Sequence, residues 1–269
     1  MIYSSSGANS DLYLLQRQET EILCELRRIC TKYNLMYFIT AGTLLGAVRH
    51  NGFIPWDDDI DVAMPLKDFE KFSKICRTDL AAQYFFQDCK SEKQYPFHFA
   101  KIRKNDTIVN DPFLAHLNIH KGIYIDVFPL VKCPKNDKAA KLFFKFVEFF
   151  TYAIMAKYDG DFICGYQKKL VVLFFRLSKH LPKSFLVIMR SLICSFVELF
   201  CSNERVCTVS GAHGYPREAF RREWFEKSAI LPFEGQEFCA PSGWNELLIN
   251  MYGDYITPPD EDGKGGHFI

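Results

Sequence analysis

Residues 40–65 read T-A-G-T-L-L-G-A-V-R-H-N-G-F-I-P-W-D-D-D-I-D-V-A-M-P, and this stretch decides the fold. The apolar run at 36–39 just before it suits a short buried strand, and Ala41 and Gly42 allow a tight turn. Residues 43–50 then read as a short helix, 51–56 as a loop, and 60–64 as a second strand halted by Pro65. Strand, glycine turn and helix N-terminus in that order suit phosphate, because free backbone N–H groups and the helix dipole meet at one spot. Asp57, Asp58, Asp59 and Asp61 follow at once. Ionised carboxylates crowded beside apolar segments are costly unless something positive compensates them.

On a strand over 59–64, Asp59 and Asp61 project to one face while Ile60 and Val62 enter the core. Asp126 is the only charge in G-I-Y-I-D-V-F-P-L (122–130), the most strand-like segment of the chain. A neighbouring strand there would complete a three-carboxylate site for one or two Mg²⁺ ions, with Mn²⁺ as the alternative, since such ions take oxygen ligands. That site favours in-line displacement at phosphorus. An EF-hand is excluded: counted from Asp57, the sixth position is Val62 where glycine is required, the ninth is Pro65 and the twelfth is Asp68. A solvated acidic turn without a ligand is the bland alternative.

Outward from this core, residues 11–33 carry an apolar stripe at helical spacing with Asp11 as a candidate N-cap, and 66–84 form a returning helix. Further strands are expected at 84–87, 97–103 and 107–110. From 138 to 206 the chain turns to Phe-rich and Leu-rich helices, interrupted at 159–165 and at Pro182. The longest uncharged apolar run, 149–156, is far short of the ~20 residues a spanning helix needs. These helices read as a subdomain with its own core, or as a monotopic surface lying on a membrane. Strands at 230–233 and 237–240 around a Glu234-Gly235 turn, then a helix over 242–252, close one side of a cleft. The expected units are a catalytic core at 1–135, the helical subdomain at 136–208 and the hairpin, helix and tail at 209–269.

The chain has 269 residues and a net charge of +1, so nucleic acid is not favoured as a partner. No basic and apolar leader opens the sequence, and its ten cysteines include no C-x-x-C pair, which suggests thiols in a reducing compartment. Cys201, Cys207 and His213 match no standard zinc spacing.

The motifs A-G-T-L-L-G-A-V-R-H-N-G-F-I-P-W-D-D-D-I-D-V, G-I-Y-I-D-V-F-P-L, P-F-E-G-Q-E-F-C-A-P-S-G-W and Y-G-D-Y-I-T-P-P resemble the LicD family of phosphotransferases, related to the fukutin-related ribitol-phosphate transferases. The resemblance implies an α+β fold: a nucleotidyltransferase-like mixed sheet flanked by helices, with an inserted helical subdomain. It implies transfer of phosphocholine or a polyol phosphate from a CDP-activated donor to a hydroxyl of a cell-surface glycan such as lipopolysaccharide, teichoic acid or a capsule precursor. Carried over by position, Asp59, Asp61 and Asp126 would bind the metal, with Asp126 also the candidate general base. Gly42 and Thr43 would approach the donor phosphates and Arg49 a diphosphate; Trp56 would stack on the cytosine, and Lys101 and Arg103 would face the cleft and offset charge on departing CMP. For Arg49 a surface salt bridge is the competing reading, for Trp56 a core position, for Lys101 and Arg103 a solvated strand edge. His98, His120 and Lys121 are weaker candidates. The tail departs from the family pattern at D-E-D-G-K-G-G-H-F, which weakens the carry-over to Lys264 and His267. A cytoplasmic location is expected, with a peripheral position at the inner membrane face as an option. The competing readings are a nucleotidyltransferase attaching NMP from an NTP to a small molecule, and a non-catalytic glycan-assembly scaffold.

Overall fold

The computed structural model describes residues 5–109, 114–158 and 169–257. It is an α+β fold built on a mixed sheet with the strand order β1-β2-β5-β4-β3, where β1 is Phe38–Ile39, β2 Asp61–Pro65, β3 Tyr84–Gln87, β4 Ala100–Lys104 and β5 Tyr124–Lys132. Only β2 and β5 run parallel; β1, β4 and β3 pair antiparallel with their neighbours. Two short strands missing from the sequence reading, β6 (Arg205–Cys207) and β7 (Ala219–Arg221), extend the sheet from the end of β5. Pro129 is tolerated inside β5 because it falls between Val127, where pairing with β4 ends, and Val131, where pairing with β6 begins.

Alternation along these strands separates two faces. Val62, Met64, Ala100, Ile102, Ile125 and Val127 belong to the main core, under α1 (Ser5–Tyr33) and α3 (Leu66–Asp79), which contact β2 to β5. Asp61, Lys101, Arg103, Tyr124 and Asp126 alternate with them and therefore lie on the opposite face. α1 begins at Ser5, so Asp11 lies inside the helix and is not its N-cap. α3 ends at Asp79, five residues before the expected end. Residues 107–109 are not a strand: Thr107 closes a turn onto Lys104 and Val109 makes one bond to Lys121, while Asn110 lies outside the described residues.

α2 (Ala41–His50) starts two residues before the expected position, so the turn is its first residue. The left-handed residue is Ala41, with φ 47°, rather than Gly42. Gly46 explains itself by space: a Cβ there would come within 2.4 Å of the Gly52 carbonyl oxygen. The helical layer consists of α4 (Asp137–Met155), α5 (Lys169–Ser178) and α6 (Lys183–Phe200), with Pro182 preceding α6; the expected break at 159–165 lies outside the described residues. Buried Arg190 fastens α6, donating to the carbonyls of Pro96 (2.6 Å) and Phe97 (3.1 Å) and to Thr151 Oγ1 (3.0 Å).

The C-terminal hairpin, β8 (Ser228–Phe233) and β9 (Gln236–Pro241), packs on α2 and β1, and α7 (Trp244–Tyr252) packs on α2. Glu234 at its tip accepts from the Phe53 N–H at 3.1 Å while its own N–H donates to the Asn51 carbonyl, and the Phe53 and Phe233 rings meet at 4.9 Å. At Gly52 a Cβ would meet the Glu234 carboxylate, so a side chain there would displace the carboxylate from the Phe53 N–H. Two motifs far apart in sequence, H-N-G-F and P-F-E-G, thus form one junction.

Candidate active site

The parallel register of β2 and β5 sets Asp61 directly beside Asp126, and the antiparallel register of β4 sets Lys101 on the other side of Asp126. The three side chains form a row across adjacent strands, a placement that follows from register alone. Lys101, 3% exposed, donates to Asp126 Oδ1 at 2.6 Å, and its ammonium lies 3.4 Å from the Tyr124 ring centroid. Lys101 is therefore a buried partner of the acidic site and not a solvated strand edge. Arg103, at 1% exposed, also covers Tyr124, but its guanidinium donates to Gln87 Oε1 and the Gly122 carbonyl, both at 2.6 Å. On the same sheet face as Lys101 and Asp126, it braces β3, β4 and β5 and is not a solvated strand edge.

β2 begins at Asp61, so Asp59 sits in the extended segment ahead of the strand and alternation does not set its direction. It joins the site through charge: burial, and after it the Asp59 and Asp126 carboxylates, hold the Asp61 carboxyl well above the usual range. Asp58 is fully buried and Asp57 lies against the start of α2, where a Cβ on Gly42 would come within 2.8 Å of Asp57 Oδ2. A solvated acidic turn is thereby ruled out. Burial, with Asp59 and Asp58 beside it, pushes the Asp57 carboxyl up to about 8.

Sequence reasoning missed Glu19. α1 brings it into the same field, where burial first and then Asp59, Asp58, Asp57 and Asp126 raise its carboxyl well above the ordinary value. The signal was available: Glu19 interrupts the buried stripe Leu15, Ile22, Leu23, Leu26. Gln16 on the same helix donates to the Asp57 carbonyl at 2.8 Å.

Thr43 is buried, and its hydroxyl accepts from the Asp61 N–H at 2.8 Å, so it positions the strand that carries the carboxylate. Arg49 donates to the Tyr255 carbonyl at 3.1 Å, tying α2 to the Y-G-D-Y motif; it makes no surface salt bridge among the described residues. Trp56 packs partly buried against the main core. His98 is driven down to about 3 by burial and the Arg190 charge. His120 stacks on Phe85 and bonds Asn105 and Gly122, and Lys121 donates to the Ala115 carbonyl. His120 and Lys121 are thus occupied by structure. Lys264 and His267 lie outside the described residues.

Glu218, also missed, is 2% exposed, takes the His213 N–H at 2.9 Å and leaves Oε2 unpartnered. Burial pushes it up to about 7. Its folded state thus holds the proton more tightly than the unfolded chain, so its share of stability is full below pH 4.5 and is lost as pH rises to about 7. That share is about 3 kcal/mol. Glu218→Gln should flatten the fall in melting temperature across this window and melt higher than wild type at pH 8; parallel curves for the two proteins would refute the assignment.

Among the described residues no three His, Cys, Asp or Glu side chains already converge as a metal cage, Cys201, Cys207 and His213 included. The acidic set nevertheless fits a hard divalent cation. Its donors are all carboxylate oxygens, their crowding raises Asp57 and Asp61, and Asp57 Oδ2 and Glu19 Oε2 are buried with no hydrogen-bond partner.

Residues 34–143 match the family model for the LicD/FKTN/FKRP nucleotidyltransferase domain. Over 91% of its length the chain is 28% identical to the lipopolysaccharide cholinephosphotransferase LicD of Haemophilus influenzae, covering 92% of that protein. It is also 45% identical over half its length to the uncharacterized protein RP689 of Rickettsia prowazekii, covering 44% of it. A third relative, the uncharacterized protein T07A5.1 of Caenorhabditis elegans, is 34% identical over 39% of the chain and 28% of that protein.

Proposed function

The chain is a LicD-family phosphotransferase, and from that premise we propose that it moves phosphocholine from CDP-choline to a hydroxyl of lipopolysaccharide or a related cell-surface glycan, with Mg²⁺ as cofactor. One observation carries the reading: the Asp61–Asp126–Lys101 row, in a chain that matches a cholinephosphotransferase over nearly the full length of both. Asp59, Asp61 and Asp126 would hold Mg²⁺, which supplies charge neutralisation at the transferring phosphoryl group.

The chain's own groups do the rest. Gly42 at the start of α2 leaves room for the Asp57 carboxylate, and the backbone N–H groups of that helix start are the ones the donor phosphates would approach. Thr43 keeps Asp61 in register through its backbone. Asp126 takes the acceptor hydroxyl proton on its carboxylate, and Lys101, bonded to Oδ1, fixes that carboxylate's orientation. Asp126 can perform this step because β5 holds it rigidly between two paired strands.

Thermal-shift titrations with CDP-choline, CDP-ribitol, CDP-glycerol and NTPs, each with and without Mg²⁺, test the donor. Saturation at a hundred times Kd is worth about 2.7 kcal/mol, an easily read shift. CDP-choline with Mg²⁺ should stabilise most, and added acceptor glycan should release CMP. Stabilisation by an NTP with pyrophosphate release would select the nucleotidyltransferase reading.

A further inference from the structure

α6 has two apolar faces. Leu186, Cys194 and Val197 are buried together with Arg190. Phe185, Ile188, Leu192, Phe196 and Leu199 recur every three or four residues on the other side, with Phe200 beside them, and are 46–74% exposed. No charged residue interrupts this outer stripe. On α4, Leu142 and Phe146 are exposed as well, at 53% and 44%. The spacing is that of an amphipathic helix whose second face has nothing in the described chain to cover it.

The charges around it point to one kind of occupant. From Asp137 to Phe200 the exposed charged side chains among the described residues are Lys138, Lys141, Lys145, Arg176 and Lys179, against Asp137 and Glu148. The whole chain, by contrast, is nearly neutral at +1. A second copy of the chain docking here would bring two cationic layers together, which like-charge repulsion opposes. An anionic lipid surface offers the complement on both counts, taking the aromatic and aliphatic side chains at the acyl boundary and the lysines at the headgroups. No helix among the described residues is long and apolar enough to cross a membrane, so the contact is one of lying on the surface.

We propose that the outer face of α6, with the lysines of α4, is a peripheral docking surface for an anionic membrane. This goes beyond the transfer reaction and does not depend on which donor is used.

The test is flotation of the full-length chain with phosphatidylcholine vesicles that contain or lack phosphatidylglycerol, with light scattering in the absence of lipid. The chain should bind the anionic vesicles about tenfold or more tightly than the neutral ones, and salt should weaken binding. Phe196→Ser with Leu199→Ser should lower binding to anionic vesicles about tenfold or more, and Lys141→Glu with Lys145→Glu should remove the preference for phosphatidylglycerol. Both pairs are solvent-facing, so the melting temperature should stay within a degree or so of wild type. Failure to float with either vesicle, or a dimer in solution that the Phe196→Ser, Leu199→Ser pair dissociates, would overturn the proposal.

Discussion

Asp61→Asn should abolish transfer and at the same time raise the melting temperature. The carboxylate sits partly buried among Asp59, Asp126 and Asp57, which together with burial hold its carboxyl far above the usual range. The charged form is thus less favourable folded than unfolded, and a neutral amide of the same shape relieves that cost. A gain of about 1 kcal/mol would move the midpoint upward by about 2–4 °C for a chain of this size. Activity should fall about 10³-fold or more, because a ligand for the transferring group's charge is gone. Asp126→Asn should lose activity to a similar extent but melt lower, since it takes the partner from Lys101. The opposite signs separate a carboxylate kept for chemistry from one also kept for structure. Activity near wild type in either variant, measured as CMP release, would remove that residue from the site.

The same contrast explains what the sequence could disclose. Asp126 was legible because a lone charge in an apolar strand is expensive and has to be accounted for. Its partnership with Lys101 is not, since antiparallel register is set by turn geometry and the pairing of two apolar faces, and the long connection over 105–123 is no tight hairpin turn that would fix it. Lys101 and Arg103 alternate correctly on β4, yet only the structure distinguishes the one that bonds Asp126 from the one that bonds Gln87 and Gly122. Alternation over 59–64 puts Asp59 on the strand with Asp61, but β2 begins only at Asp61, and the break between loop and strand lies within a run of four acidic residues and one isoleucine.

The apolar period of α1 is clear, but the capping chemistry of Asp11 points to a start there, whereas the helix runs through it from Ser5. The period also absorbed Glu19, whose place in the stripe was the evidence of a polar demand beneath it. β6 and β7, three residues each, carry too little pattern to be seen at all. The hairpin β8–β9 was found from its Glu234-Gly235 turn, and Glu234 has φ 48° and Gly235 φ 70°, as that turn chemistry requires. Its docking partner at residues 51–53 was beyond any local signal.

Lys101→Met is the second large effect, and it is one of stability. The side chain is 3% exposed, and its ammonium lies 2.6 Å from Asp126 Oδ1 and against the Tyr124 ring. Methionine fills much of the same volume, so the packing term is small. What is lost is the compensation of Asp126, which then faces Asp61 across β2 with a buried like charge. Removing one partner of a buried pair costs about 3–5 kcal/mol, more than the net worth of the pair itself. Stability measured by urea unfolding should fall by that amount. The decisive control is the double variant Lys101→Met, Asp126→Asn: with neither charge present it should regain most of the loss, so the two substitutions should be strongly non-additive. Additive losses would show that Lys101 serves the fold through contacts other than Asp126. Added Mg²⁺ should also recover part of the single variant's stability, because a bound cation would offset the Asp126 charge, whereas it should do nothing for the triple variant Lys101→Met, Asp126→Asn, Asp61→Asn.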